Sequence, residues 1–448
     1  MLTYFSQFAG VGGDTEGAAQ VPGVEPVLAM NHFLRAVESH SANFPRVDHI
    51  LDDVTTFDIT RLPRVDLYWA SPACPYWTDA RGRRRDFDKS TLTLFDQNAP
   101  DEKAIRSRAL MEEVPRYLRA MSDKGRPVLA GVVENVIQCR KWDEWNRWLG
   151  EIRRLGYRIR VIALNSMHAT PRHSPRAPQS RDRLYVAYWH DSLGRDPDWD
   201  KWLRPRAWCD RCGTEVDALQ VFKKPGVDMG CYGARNQYLY RCPRIGCRGN
   251  VVEPATRPAA AIIDWTVPGS RLAEREDPLV ANTLDRIRAG RDRYATGGVA
   301  VPPGLFEVPG HGPGLASAPV DAHRRAADSA HTPDRSRLDL LVPYYSTGVA
   351  RPIFRPSGTL STRDRFGWAS CNPADTGLDD VRYRMLLSHE VGAGMAFRPD
   401  YIVLGTHAEK VRQYGNAVTP PVAEILICAL VEAVTGSTIP RGDLALTA

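Results

Sequence analysis

The sequence predicts an α/β protein whose first 190 residues form a mainly parallel sheet with helices on both faces. Short apolar stretches such as VDLYWA and PVLAGVV alternate with segments of helical spacing, and this alternation is typical of parallel sheets that are buried on both faces. Several strand-like stretches also end abruptly in the segments FAGVGG, SPACP and ENV. Because ligands bind at the carboxyl ends of such strands, we expect these three segments to meet at one functional edge.

The composition and charge indicate a globular protein with a polyanionic partner. The 448 residues are 43% hydrophobic and 25% charged, which fits about two or three folded domains. No apolar run approaches the ~18 residues that span a bilayer, and MLTYFSQFAG lacks a basic n-region, so we expect a cytoplasmic protein without membrane contact. The net charge of +6 equals the surplus of residues 201–250, which contain ten Lys and Arg against four Asp and Glu. Nucleic acid is the commonest partner of such a block, although a solvated basic surface would show the same pattern.

The spacing of four cysteines predicts a structural zinc site. Cys209-x2-Cys212 and Cys242-x4-Cys247 are separated by 29 residues, and paired thiols of this kind form tetrahedral zinc sites. An odd total of nine cysteines, without a signal peptide, argues against a disulfide framework. The alternative is four unrelated thiols, and Cys231 is the substitute ligand if one of the four is misassigned. We expect a zinc-ribbon-like module at 205–252.

Chemically distinctive side chains follow the predicted strand ends. Cys74 lies in SPACP, Glu134 and Asn135 follow a buried strand, and Arg181 and Arg183 lie in QSRDR. A thiol, a carboxyl group and two guanidinium groups at one sheet edge can attack, protonate and orient a small polar ring. Taken singly, a cysteine is more often a small buried apolar residue. The turn FAGVGG could also be a plain turn or the start of a nicotinamide site, although its spacing does not fit G-x-G-x-x-G.

Five motifs in order, FAGVGG, SPACP, ENV, QSRDR and YGNAVTPP, resemble those of the DNA (cytosine-5) methyltransferases. The resemblance implies an α/β, Rossmann-like class I methyltransferase domain, mostly parallel in its sheet. That domain would comprise residues 1–190 and 376–448. The inserted, irregular target-recognition region would occupy 191–375, with the zinc-ribbon-like module and a flexible loop at 302–337.

The same resemblance implies catalytic roles for five residues. Cys74 would be the nucleophile that adds to ring carbon 6 of cytosine. Glu134 would hold ring nitrogen 3 and the amino group, and Asn135 would support its loop. Arg183, with Arg181, would bind the carbonyl oxygen of the ring.

The implied methyl donor is S-adenosylmethionine. Its predicted binding residues are Phe8, Gly10, Gly12, Gly13, Asn31, Asp53, Asn416 and Val418. Two positions depart from the family pattern. Asn31 stands where an acidic residue usually binds the ribose, and Pro75 follows the cysteine where the family has Gln.

The implied substrate is a cytosine flipped out of double-stranded DNA. In the family the segment after the cysteine is a mobile loop, and here it contains Arg81, Arg83, Arg84 and Arg85, which could bind phosphates or merely be solvated. Thr359-Leu360 resembles the Thr-Leu element of the recognition region, and the zinc module is our candidate for a further DNA contact.

A monomer on DNA, with a possible cognate restriction endonuclease, is the expected assembly. Three other interpretations stay open. The same scaffold could act on RNA cytosine or with a modified alkyl donor, or the chain could be an inactive DNA-binding homologue. A nicotinamide oxidoreductase is more remote, since nothing offers a second hydride-binding half.

Overall fold

The structure of the protein is a computed structural model. It describes residues 1–54, 56–72, 110–295, 337–344, 348–375 and 377–442. The predicted nucleophile Cys74, the loop arginines Arg81, Arg83, Arg84 and Arg85, and residues 302–336 of the expected flexible loop lie outside these ranges.

A seven-stranded sheet organises the N-terminal part of the chain. Its strands are β1 (Leu2–Gln7), β2 (Val24–Asn31), β3 (Asp48–Leu51), β4 (Leu67–Ala70), β5 (Ala130–Asn135), β6 (Tyr157–Asn165) and β7 (Asp182–His190). The spatial order is β3-β2-β1-β4-β5-β7-β6. The first five strands are parallel, so the mostly parallel α/β fold is confirmed.

The last two strands differ from the expected βαβ continuation. Strand β7 lies between β5 and β6 and runs antiparallel to both. The periodicity of a buried strand does not show its direction, so the sequence could not distinguish the two arrangements. The reversal matters for the site, because the N-terminal residues of β7 lie beside the carboxyl end of β5.

Helices cover both faces of the sheet. The helices of the described residues are α1 (Gly13–Ala19), α2 (Leu34–Asn43), α3 (Glu113–Asp123), α4 (Trp145–Arg154), α5 (Trp199–Leu203), α6 (Ala281–Ala295), α7 (Ser388–Gly394), α8 (His407–Asn416) and α9 (Pro420–Thr435), of which α6 packs on a second sheet. Successive strand residues alternate between two cores: Trp69 and Val132 pack with α9, whereas Tyr68 and Val133 pack with α3 and α4. This alternation explains why β4 (LYWA) and the start of β5 (AGVV) are apolar throughout.

The C-terminal helix α9 is part of the core of the first domain. It contacts α1 and α5, and Lys201 and Trp202 of α5 donate hydrogen bonds to Glu432. Residues 407–435 are long and apolar enough to cross a membrane, but 89% of the apolar window is buried inside the protein. A core helix accounts for this composition. The two ends of the chain therefore form one hydrophobic core.

The middle of the chain is less irregular than expected. Strands β8 (Arg206–Cys209) and β9 (Thr214–Asp217) form one hairpin, and β10 (Leu219–Phe222) and β11 (Tyr238–Arg241) form another. A five-stranded antiparallel sheet follows, with the order β12-β16-β15-β13-β14. Its strands are β12 (Ser270–Arg271), β13 (Leu338–Pro343), β14 (Arg351–Pro352), β15 (Phe366–Cys371) and β16 (Arg382–Met385).

Two expected boundaries differ from these strands. The predicted division at residues 375 and 376 falls inside the five-stranded sheet, because β16 pairs with β15. The second sheet therefore extends to Met385, ten residues beyond the expected boundary. Arg337, the last residue of the expected flexible loop, is ordered by hydrogen bonds to Ser370.

Candidate active site

The carboxyl edge of the parallel strands brings together residues that are far apart in sequence. Phe8 follows β1, Asn31 ends β2, Asp53 follows β3, and Glu134 with Asn135 ends β5. The chain leaves β1 toward β2 on one side and β4 toward β5 on the other, so a topological switch point lies between β1 and β4. Doubly wound sheets bind their ligands at this point.

The glycine turn after β1 has a backbone that most residues adopt only at a cost. Phe8 has φ 60°, Gly10 has φ 54° and Gly12 has φ 91°. A non-glycine residue at positive φ is uncommon and is found mainly at functional sites, where the surrounding structure holds it. A Cβ at Gly12 would lie 2.8 Å from the Tyr401 hydroxyl, so the turn also needs glycine for close packing.

Gly13 contacts the C-terminal motif. A Cβ at Gly13 would lie 1.9 Å from the Val418 carbonyl oxygen, and Val418 is 5% exposed within the first core. The small size of Gly13 therefore serves the contact between the two ends of the chain. Asn416 is exposed at the end of α8.

Asn31 and Asp53 have their backbones fixed at the same edge. The Asn31 side-chain oxygen accepts a hydrogen bond from the Phe33 amide at 3.0 Å, and its carbonyl accepts one from the Asp52 amide. The Asp53 carbonyl accepts hydrogen bonds from Thr56 and Phe57. Both residues are partly exposed at the ends of adjacent strands, which places them where the sequence predicts a nucleoside contact.

A buried carboxyl group under the glycine turn was missed by the sequence analysis. Asp14, at the first turn of α1, is 2% exposed and accepts a hydrogen bond from the Tyr4 hydroxyl at 2.7 Å. Burial raises the pKa of Asp14 from its ordinary value of 3.8 to about 6. The position of Asp14 directly after Gly12 and Gly13 is the feature of the sequence that could have indicated it.

Glu134 and Arg183 form the central pair of the site. Glu134 Oε1 lies 3.0 Å from Arg183 Nε, and the two side chains are only 10% and 16% exposed. The antiparallel β5–β7 register puts Glu134 opposite Tyr185, so the first residues of β7 reach the Glu134 carboxylate. A paired carboxylate and guanidinium in a nearly dry setting can bind both a donor and an acceptor on one face of a polar ring.

Asn135 connects this pair to the segment that leads to Cys74. Asn135 is fully buried, and its side-chain amide donates to the Pro72 carbonyl at 3.4 Å. Its side-chain oxygen accepts from the Val136 amide at 2.8 Å. Because Pro72 precedes Cys74 by two residues, Asn135 fixes the last described residue before the predicted nucleophile.

Arg181 has a different environment from the one expected for a substrate-binding residue. It is 2% exposed, and its guanidinium donates to the carbonyls of Leu360 at 2.9 Å, Gly415 at 3.0 Å and Ala417 at 3.2 Å. These carbonyls belong to the recognition region and the C-terminal motif. The contacts assign Arg181 to the joint between three segments of the chain, while Arg183 faces Glu134.

The Thr359-Leu360 element packs against the same QSRDR segment. The Thr359 hydroxyl donates to the Ser180 carbonyl at 2.8 Å, and the Leu360 amide donates to the Gln179 side-chain oxygen at 2.9 Å. Thr359 is exposed, whereas Leu360 is buried. The predicted recognition element is therefore held directly beside the site, with the threonine at the surface.

Glu424 is a second buried carboxylate without an expected role. It is fully buried on α9 and accepts hydrogen bonds from the amides of Arg172, His173 and Ser174. Glu424 is the single acidic residue within the apolar run VAEILICALV, and this feature of the sequence could have indicated it. Glu424 fixes the loop that leads into QSRDR.

The four predicted zinc ligands converge. The sulfur atoms of Cys209, Cys212, Cys242 and Cys247 all lie within 4.8 Å of one another. Cys209 and Cys247 are 3.8 Å apart, and Cys212 and Cys242 are 4.0 Å apart. Tetrahedral bonds of about 2.3 Å to zinc give a sulfur–sulfur spacing of about 3.8 Å. Among the described residues Cys231 is outside this group, so the four-cysteine set is compatible with a metal.

Comparisons with known proteins give the family of the first domain. Residues 2–197 match the family model of the C-5 cytosine-specific DNA methylases, and no curated protein matches the chain. Among solved structures, the Entamoeba histolytica methyltransferase EhMeth is 10% identical with a TM-score of 0.49, over 97% of this chain and 99% of that one. A DNMT2 mutant from Spodoptera frugiperda is 14% identical with a TM-score of 0.47, over 96% and 100%. The S. pombe Dnmt2 methyltransferase is 13% identical with a TM-score of 0.48, over 97% and 100%.

The solved structures are too distant in identity and TM-score to lend this chain a function. The matched family region contains the glycine turn, the Glu134–Arg183 pair and all seven strands of the first sheet. Residues 2–197 therefore match a C-5 cytosine-specific DNA methylase domain.

Proposed function

We propose that the protein transfers a methyl group from S-adenosylmethionine to carbon 5 of a cytosine in double-stranded DNA. The observation that carries this proposal is the nearly buried Glu134–Arg183 pair, which lies at the sheet edge beside the segment leading to Cys74. A carboxylate that binds nitrogen 3 and the amino group, next to a guanidinium that binds the carbonyl oxygen, matches one edge of cytosine.

The chemistry requires a nucleophile in addition to this pair. Carbon 5 of cytosine is a poor nucleophile until a thiolate adds to carbon 6 and converts the ring to an enamine. Cys74 is the proposed thiolate. Glu134 would hold the proton at nitrogen 3 as the ring becomes electron-rich, and Arg183 would stabilise charge at the carbonyl oxygen. Carbon 5 would then accept the methyl group, the demethylated donor would leave, and loss of the proton from carbon 5 would expel the thiolate.

The residues at the ends of β1, β2 and β3 fit the proposed donor. S-adenosylmethionine would supply the electrophilic methyl group. Phe8 would pack against the adenine, Asn31 would hydrogen-bond the ribose hydroxyls, and Asp53 would accept from the adenine amino group. Gly10 carries no side chain, so that the backbone of the turn after β1 can approach a ligand there.

The proposed DNA contacts are four arginines of the loop after Cys74 and one threonine near the sheet edge. A stacked cytosine must leave the duplex to reach the thiol of Cys74. On the loop after Cys74, DNA phosphates are proposed to be bound by Arg81, Arg83, Arg84 and Arg85. Among the described residues the candidate is Thr359, because it is exposed and its hydroxyl donates to the Ser180 carbonyl beside the site.

The function is tested by incubating the protein with plasmid DNA, an RNA pool and labelled S-adenosylmethionine. Base-resolution sequencing is expected to show 5-methylcytosine in one short DNA motif, with none for Cys74→Ala. DNA carrying 5-fluorocytosine in that motif should become covalently attached to the wild-type protein only. Label found in RNA alone, or an alanine variant as active as wild type, would refute the proposal.

We also propose that the four-cysteine cluster holds one structural zinc ion. Metal analysis of the purified protein is expected to give one zinc per chain. Cys242→Ser should lose the metal and lower the melting temperature, because metal binding is coupled to folding in such modules. Cys231→Ser is the matched control, since Cys231 lies in the same segment but outside the cluster. Equal zinc contents in the two variants would contradict the assignment.

A further inference from the structure

The four-cysteine module, residues 205–252, is packed on the catalytic sheet itself. The side-chain amide of Gln220 donates to the Ala163 carbonyl on β6 at 2.8 Å. The ring of Tyr232 contacts the buried ring of His168 at 4.4 Å between centroids. Arg140 binds Asp228 at 2.9 Å across the same junction. The module therefore shares an interface with the strands that end at the active site.

Asp182 is the residue through which the module contacts β7, the strand that carries Arg183. Asp182 is the first residue of β7, and its Oδ1 accepts hydrogen bonds from the Tyr232 amide at 3.0 Å and the Tyr238 hydroxyl at 3.3 Å. Both donors belong to the module, so the module supplies two hydrogen bonds to a carboxylate of the QSRDR motif.

Asp182 is followed in the chain by Arg183, whose guanidinium belongs to the proposed catalytic pair. Arg183 Nη1 donates to the Asp182 carbonyl at 3.3 Å, and Arg183 Nε faces Glu134. Asp182 pairs with Asn165 in the final step of the β6–β7 register. Strand ends open more readily than strand centres. Hydrogen bonds that fix Asp182 therefore also restrict the position of Arg183.

We propose that Asp182 is a positioning residue through which the four-cysteine module holds Arg183 against Glu134. This inference rests on the proposed function for its catalytic consequence. It assigns the module a part in catalysis in addition to any contact with DNA. The chemistry needs no group beyond those described, because the carboxylate acts only as an acceptor for the Tyr232 amide and the Tyr238 hydroxyl.

The test compares Asp182→Ala, Asp182→Asn and Asp217→Ala. Asp217 is the matched control. It lies in the four-cysteine module and forms an ion pair with Arg441 at 2.7 Å, and neither residue is close in sequence to QSRDR. For Asp182→Ala we expect kcat to fall by about 10- to 100-fold, the usual effect of a misplaced catalytic group, with the KM for DNA and the zinc content unchanged. Asp182→Asn keeps an acceptor oxygen and should recover part of the loss, and Asp217→Ala should behave as wild type.

Amide hydrogen exchange supplies a readout that needs no substrate. The amides of residues 183–185 should exchange about 10-fold faster in Asp182→Ala than in Asp217→Ala. Tyr238→Phe, which removes one hydroxyl only, should show a smaller change in the same direction, so the proposal can be tested even if Asp182→Ala does not fold. Equal exchange and equal kcat in the Asp182 and Asp217 variants would overturn the inference, as would a kcat loss that follows zinc loss. If wild type fails to methylate DNA while the exchange difference persists, the proposed function fails and the positioning stands.

Discussion

Replacing Arg181 by methionine should destabilise the fold while leaving the chemistry of the folded protein largely intact. Arg181→Met keeps an apolar stem but leaves three carbonyls, those of Leu360, Gly415 and Ala417, without their donor. A hydrogen bond to a charged group contributes about 1.5–3 kcal/mol. Allowing for non-additivity among neighbours, we expect a loss of about 4–6 kcal/mol, a large share of the roughly 5–15 kcal/mol that stabilises a domain.

The assay is urea unfolding followed by activity measurements at low temperature, where the variant is folded. Arg140→Met is the stability control. Its pair with Asp228 is partly exposed, so it should cost less than about 1 kcal/mol. Arg183→Met is the activity control and should lower kcat by at least about 100-fold in folded protein, whereas Arg181→Met should stay within about 10-fold of wild type. The reasoning is refuted if Arg181→Met is as stable as wild type, or if it loses kcat as severely as Arg183→Met does.

Two further predictions concern pH and salt. Asp14 has its pKa raised by burial to about 6 in the folded protein, so the folded state binds more protons than the unfolded state between about pH 4 and pH 6, and stability falls as pH rises through that window. The unfolding free energy of Asp14→Asn minus that of wild type should therefore rise by up to about 3 kcal/mol between pH 4 and pH 7. Denaturant titrations that give the same difference at every pH would contradict this prediction. Arg244 and Arg248 are exposed at the tip of the four-cysteine module, so changing both to Gln should reduce the slope of log affinity for DNA against log salt by about 2. An unchanged slope, equal to that of the exposed control Arg153→Gln on α4, would exclude the tip from the DNA contact.

The sequence was sufficient for features that depend on local pattern. The alternation of apolar strands and helices predicted a parallel sheet, because burial on both faces requires apolar residues at every position. The paired spacing of Cys209, Cys212, Cys242 and Cys247 predicted their convergence, because each short pair is confined to one turn. The sequence analysis placed Glu134 and Asn135 just after a strand, and the structure has them as the last two residues of β5.

Features that depend on direction and on distant partners were decided by the tertiary structure. Periodicity is the same for a strand running either way, so the reversal of β7, which brings Arg183 to Glu134, could not be read from the chain. Two arginines two residues apart have the same chemistry in sequence, but Arg181 contacts buried carbonyls more than 170 residues away, whereas Arg183 faces a carboxylate. The sequence by itself determined which chemical groups this protein contains and on which elements they lie. Only packing between distant segments decided which of them meet, because hydrogen-bond partners across a core are set by the fold as a whole.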